Sequence, residues 1–201
     1  LKHKLMTKSI ITLFLLIILI NSCTKMYERT YDPQAVELNN KALELINQGR
    51  LDSALLVYDQ SIKTDKTYYF PHIGKSIIYM RKKDWNKAFE ETQQAIKKKP
   101  DYAEGYQALG LIADAKGDSI EAKEYYNKAI KKFDERIKSS NDSNALRSNR
   151  YNKITTLILL NETQKAEDEI EEIKRANPSD GLLEFINTLS RDSILYMIKN
   201  P

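Results

Sequence analysis

Cysteine, histidine, glycine and proline are all scarce in this chain of 201 residues, and each scarcity closes off a class of function. The lone Cys23 excludes an internal disulfide framework and any thiolate-rich metal cluster within one chain. Histidine occurs only at His3, in a leader-like segment, and at His72, so a two-histidine metal site is not expected and no serine has an imidazole base. His72 reads as an ordinary helix residue. None of the 6 glycines falls in the spacing of a phosphate-binding loop. No catalytic residue, metal ligand or cofactor is assigned, and an enzyme is not the expected class.

The same shortage of Gly and Pro argues against a turn-rich β-fold. Ala, Leu, Ile, Lys, Glu and Gln are plentiful, which favours helices. A hydrophobic fraction of 41% with 30% charged residues suits a solvated all-α domain with a narrow core, and is too apolar for a disordered chain. The length fits one domain. Of the basic residues, Lys2, Lys4 and Lys8 precede Cys23 and no acidic residue does, so the +4 net charge falls close to neutral beyond that point. A nucleic-acid footprint is not expected.

Residues 10 to 20 form an apolar run broken only by Thr12. A spanning helix needs roughly 20 such residues, so the run, with lysines before it, reads as the core of a secretory signal. It ends in Ile20-Asn21-Ser22-Cys23, which resembles a bacterial lipobox. The resemblance implies a signal peptide over 1–22, cleavage before Cys23 and acyl chains on that cysteine. Each buried methylene contributes about 0.8 kcal/mol, so two or more chains give a stable anchor. The competing reading is a buried free cysteine after an uncleaved signal anchor. Residues 23–34 then form the lipidated end and a polar tether containing Pro33, with a reach of roughly 40 Å. The implied location is the cell envelope, at the outer membrane facing the periplasm.

Beyond the tether the chain repeats itself. Ala54, Ala88 and Ala122 are spaced by 34 residues; Ser61, Ala95 and Ala129 follow each by seven; Gly49 and Gly117 precede the first and third by five. With Ala42, Tyr58, Tyr79, Pro100, Leu109, Gly110, Asp118 and Tyr126, these columns resemble the tetratricopeptide (TPR) repeat family. The resemblance implies a TPR-like α-solenoid of three to four helical hairpins. Three units fill 35–136, and Ser76 and Thr92 depart from the pattern where a small apolar residue and an aromatic are usual. Aligning Pro178 with Pro100 places a degenerate fourth unit at 147–180, with Ala166, Ile170 and Ile173 in core columns and Asn161 in the column of Gly49. Residues 137–146 are read as an extended helix end followed by a polar loop, and 181–201 as a capping helix, with a partner-binding tail as the alternative. Lys97, Lys98 and Lys99 complement a helix dipole, and the acidic run from Glu167 to Glu172 reads as a solvated helix face.

In this family the first helix of each unit lines a groove for a peptide or a helix. The lining columns are Asn39, Leu43, Ile46 and Asn47 in the first unit, Ile73, Ile77, Met80 and Arg81 in the second, and Gln107, Leu111 and Asp114 in the third. Where relatives clamp a terminal carboxylate, this sequence has Asn39, Leu43, Gly74, Glu104 and Ala108, which does not make a clamp. The expected partner is a protein or peptide with an apolar or amphipathic surface. Charges at Ile77 or Leu111 are then expected to weaken capture without unfolding. The competing reading places some lining residues in the core or beneath the C-terminal helix. The expected function is a membrane-anchored adaptor or scaffold, with a subunit of an outer-membrane assembly or export complex as the alternative.

Overall fold

The computed structural model describes residues 31–200. The apolar run, Cys23 and most of the tether lie outside the described residues. Every regular element within them is a helix: α1 Pro33–Asn47, α2 Leu51–Thr64, α3 Phe70–Arg81, α4 Trp85–Lys98, α5 Ala103–Lys116, α6 Ser119–Ser139, α7 Ser143–Leu159, α8 Thr163–Ala176, α9 Leu182–Ile186 and α10 Arg191–Lys199. Helices α1 to α8 pack as four consecutive hairpins, and the second helix of each also packs on the first helix of the next. This is the α-solenoid expected from the repeat.

The four hairpins close in one way. The N–H groups of Gly49, Lys83, Gly117 and Asn161 reach the carbonyls of Ile46, Met80, Asp114 and Ile158, and the following N–H reaches Leu45, Tyr79, Ala113 and Leu157. These paired bonds satisfy carbonyls that a helix end leaves free, and they require a left-handed residue. All four residues adopt it, with φ of 76°, 58°, 90° and 59°. Glycine and asparagine adopt this backbone at little cost; lysine adopts it against the steric preference of its side chain. Lys83 is exposed, so Lys83→Gly is expected to raise stability by about 1 kcal/mol, read as a shift in urea midpoint.

Small side chains permit the close pairing. Ala54, Ala88 and Ala122 are at most 1% exposed, and Ser61, Ala95 and Ala129 are fully buried. In the third hairpin Gly110 lies under the ring of Tyr126, where an added Cβ would come within 2.4 Å of Cε1. The second hairpin solves the same contact in a different way: Ser76 Oγ lies 2.7 Å from Thr92 Oγ1, and both hydroxyls donate to or lie against Ala88 O. The two departures are thus partners, joined by a buried polar contact in place of an aromatic one.

Three boundaries differ from the sequence reading. Pro33 is the first residue of α1, because Asp32 caps it by accepting from the N–H of Gln34 and Ala35; proline loses nothing at this position. The polar loop after α6 is shorter than expected, since Asp142 accepts from Asn144 and Ala145 and so starts α7 at Ser143. Residues 181–200 form two helices rather than one. Ser190 is extended and makes a reciprocal cap with Ser193, which begins α10 anew. Leu183 and Ile186 of α9 cover the last hairpin in a cluster with Tyr151, Ile154, Ile170 and Ile173, whereas α10 turns back onto α5 and α7.

Candidate polypeptide-binding face

The first helices of the hairpins supply one face of the stack, and the lining residues divide sharply by burial. Asn39, Ile46, Ile73, Ile77, Gln107, Leu111 and Asp114 are at most 9% exposed; Leu43, Met80 and Arg81 are half-buried, and Asn47 is exposed. Ile73 and Ile77 pack among Tyr69, Ala95 and Tyr102 between neighbouring hairpins. Ile46 packs with Tyr58 and Ile78. A charge at Ile77 or Leu111 would therefore break the core, so these positions do not separate binding from folding. Met80, Arg81, Leu43 and Asn47 keep accessible surface on α1 and α3.

The α5 and α7 part of the face is occupied by α10. Leu111 shares a buried cluster with Leu159 and Ile194, bordered by Ile158, Leu195, Met197 and Ile198. Arg191 donates from Nη2 to Asp114 Oδ1 at 2.7 Å and from Nη1 to the carbonyl of Leu159. The other oxygen of Asp114 accepts from Tyr126 at 2.8 Å. Burial, with the charge of Asp114 and this hydrogen bond, pushes the Tyr126 phenol far above its ordinary value, so it stays a neutral donor. Beneath α10, Gln107 joins α5 to α7 by donating to Asn152 O and Thr156 Oγ1. A pocket of about 170 Å³ beside Arg191, lined by Ser119, Lys123, Tyr126 and Asn161, is smaller than a drug-sized ligand needs, roughly 300–1,000 Å³.

A charged network that the column reading missed runs through the second and fourth hairpins. Glu91 lies 2.7 Å from His72 Nδ1 and 2.5 Å from Lys75 Nζ, and Lys75 also reaches Asp59 at 2.9 Å. Parallel positions 78 residues later hold Arg150, Lys153 and Glu169, with Lys153 bridging Glu169 and Asp134 at 2.6 Å each. Glu169 is therefore a half-buried tie between helices, where a solvated face was expected. The signal was present as a repeated triplet, visible only when alternate units are aligned.

Burial opposes ionisation of Glu91, but its bonds from His72 and Lys75 outweigh it and hold the carboxyl below its ordinary 4.5. A depressed carboxyl contributes stability that is complete above its unfolded value and disappears as pH falls through its native one. Glu91→Gln is accordingly expected to cost about 1–3 kcal/mol near neutral pH. The gap between variant and wild type should close in acid, as followed by urea melts across pH.

Among the described residues no group of three or more His, Cys, Asp or Glu is placed to hold a metal ion, and no helix is long and apolar enough to cross a membrane. At the positions where relatives would clamp a carboxylate, Glu104 is bound to Arg136 Nη1 at 2.7 and 2.9 Å, and Gly74 is filled by the ring of Tyr58.

Residues 103–131 match the family model described as tetratricopeptide repeat. The small glutamine-rich tetratricopeptide repeat-containing protein of Dictyostelium discoideum is 31% identical over 96 residues, which are 48% of this chain and 29% of that protein. The chain thus spans under a third of that relative. A tetratricopeptide repeat protein from Parabacteroides merdae shares the fold, with a TM-score of 0.56 at 18% identity over 84% of this chain and 61% of its own. The first tetratricopeptide domain of Spaghetti, solved with an HSP90 peptide, is 21% identical over 61% of this chain and 95% of its own, with a TM-score of 0.48. The repeat family is supported by the matched segment and the fold together, and proteins of this family generally mediate protein–protein interaction.

Proposed function

We propose that this chain is a lipid-anchored adaptor of the bacterial cell envelope that holds another polypeptide on the face of its first helices. The observation that carries the reading is the seating of α10: this face already accepts a helix, through apolar side chains and one ion pair. The anchor rests on the sequence Ile20-Asn21-Ser22-Cys23, and the outer membrane facing the periplasm is the compartment it implies. The same face gathers apolar residues and paired charges, which supports interaction as its role. The engaged Glu104 and the filled Gly74 disfavour capture of a terminal carboxylate.

Two experiments test the two halves. Cys23→Ser in the native host is expected to abolish incorporation of labelled fatty acid into the protein; equal labelling of variant and wild type, or no labelling of the wild type, would refute the anchor. For the face, a photo-crosslinking residue at Met80 or Arg81 is expected to give a discrete adduct in cells that the same residue at Leu56, on the outer side of α2 and 66% exposed, does not give. Equal labelling from both positions would rule the face out.

A further inference from the structure

Helix α10 is a poor candidate for a permanent part of the core. It has nine residues, below the roughly 12–15 at which an isolated helix holds in water. Only Ile194 among its side chains is fully buried, at 1% exposure, and Tyr196 is 65% exposed. It packs on α5 and α7 without belonging to a hairpin, which places it at the low-stability end of the molecule.

The seat beneath it belongs to the packed hairpins. Asp114 Oδ2 is fixed by Tyr126 from the core side, and with α10 docked the Asp114 side chain is 3% exposed, its Oδ1 paired from the α10 side by Arg191. The carbonyl of Leu159 is one of those a helix C-terminus leaves without an internal partner, at the negative end of the α7 dipole. Arg191 answers both acceptors at once, with a separate nitrogen for each. Lysine offers a single point charge and cannot span the two. One turn on, Ile194 enters the apolar strip of Leu111 and Leu159.

We infer that the space between α5 and α7 is a receptor for an amphipathic helix that begins with an arginine followed three residues later by a branched apolar residue, and that α10 fills it in cis until a partner helix of that pattern takes its place. The inference rests on the adaptor reading above and narrows the partner's chemistry. Departure of α10 without a replacement takes the arginine from Asp114 and opens the apolar strip of Leu111 and Leu159 to water, which is unfavourable on both counts. Exchange for a second arginine-bearing helix avoids that penalty, so the seat selects its ligand.

The test uses the full chain carrying Ile194→Asp, which sets a charge in the apolar strip, and a fluorescent peptide of residues 188–200 with the wild-type sequence as probe. Hydrogen exchange is expected to show α10 amides deprotected while α5 to α8 stay protected. The peptide should then bind the variant at least about tenfold more tightly than it binds the wild-type chain. Arg191→Gln in the peptide, or Asp114→Asn added to the chain, should each remove that gain, and Arg191→Lys should remove most of it. Should the α5 to α8 amides lose protection, the milder Arg191→Ala chain is used with the same readouts. Equal binding to docked and undocked chains, absence of binding to the undocked chain, or indifference to Arg191 in the peptide would overturn the inference. Photo-crosslinks from Met80 on α3 would survive that failure, whereas their loss beside normal peptide binding would strike the adaptor reading alone.

Discussion

Tyr126→Ala is expected to lower folding stability by about 3–5 kcal/mol, the range for deleting a large buried aromatic. Tyr126 is 1% exposed, its ring covers Gly110, and its hydroxyl holds Asp114. The ring fills the space between α5 and α6 that the glycine leaves, and neither helix can close the gap without disturbing the buried contacts on either side. Tyr126→Phe isolates the polar part. It keeps the packing and removes one donor from a buried carboxylate, for an expected loss of about 1–3 kcal/mol. Gly110→Ala attacks the contact from the other helix: the new methyl meets a ring that has no room to swing, and overpacking of this kind costs about 1–3 kcal/mol. Urea melts of the three variants check the order. If Tyr126→Ala lost no more than Tyr126→Phe, the ring would not be the element that sets the spacing of the hairpin.

That contact also shows what a one-dimensional reading of the chain captures. The columns at Ala54, Ala88 and Ala122 report a requirement that each hairpin meets by itself, small against large, so spacing alone reveals it. Asn161 was readable for the same reason, since a left-handed closure accepts few residues. Lys83 occupies the identical turn and was invisible, because nothing about lysine suggests that backbone. The exchange of an aromatic contact for Ser76 and Thr92 was legible as two departures but not as one interaction, since a column treats each position separately. Asp32 and Asp142 were hidden by composition: polar residues before a helix resemble loop until their acceptor geometry is seen.

The face itself was the least readable feature. Repeat position predicts which side of a hairpin a residue occupies, but not what covers it, and Leu111 and Asp114 are both buried. What covers them comes from Arg191 and Ile194, 77 residues further on in the case of the Asp114 pair. No periodicity links the two, because α10 belongs to no repeat. Its start is fixed by the local cap of Ser190 and Ser193, which carries no information about where the helix docks.

Arg136→Ala is expected to be comparably damaging, at about 3–5 kcal/mol, because it strands a buried carboxylate. Glu104 is 7% exposed and takes both its bonds from Arg136 Nη1, while Nη2 holds the carbonyl of Asp101 in the turn before α5. The arginine sits late in the extended α6 and ties it to the start of the hairpin, so its loss releases the turn as well as the charge. The double change Glu104→Leu with Arg136→Met should recover most of the deficit, since a buried ion pair replaced by apolar groups of similar volume is often close to neutral. A cycle of melts on the two single variants and the double then separates the two explanations. If the double variant stays as unstable as Arg136→Ala, the arginine acts through Asp101 and the geometry of the turn; if it recovers, the penalty was the unpaired charge. Recovery would also mean that packing can take the place of the Glu104–Arg136 pair in holding α5 against α6.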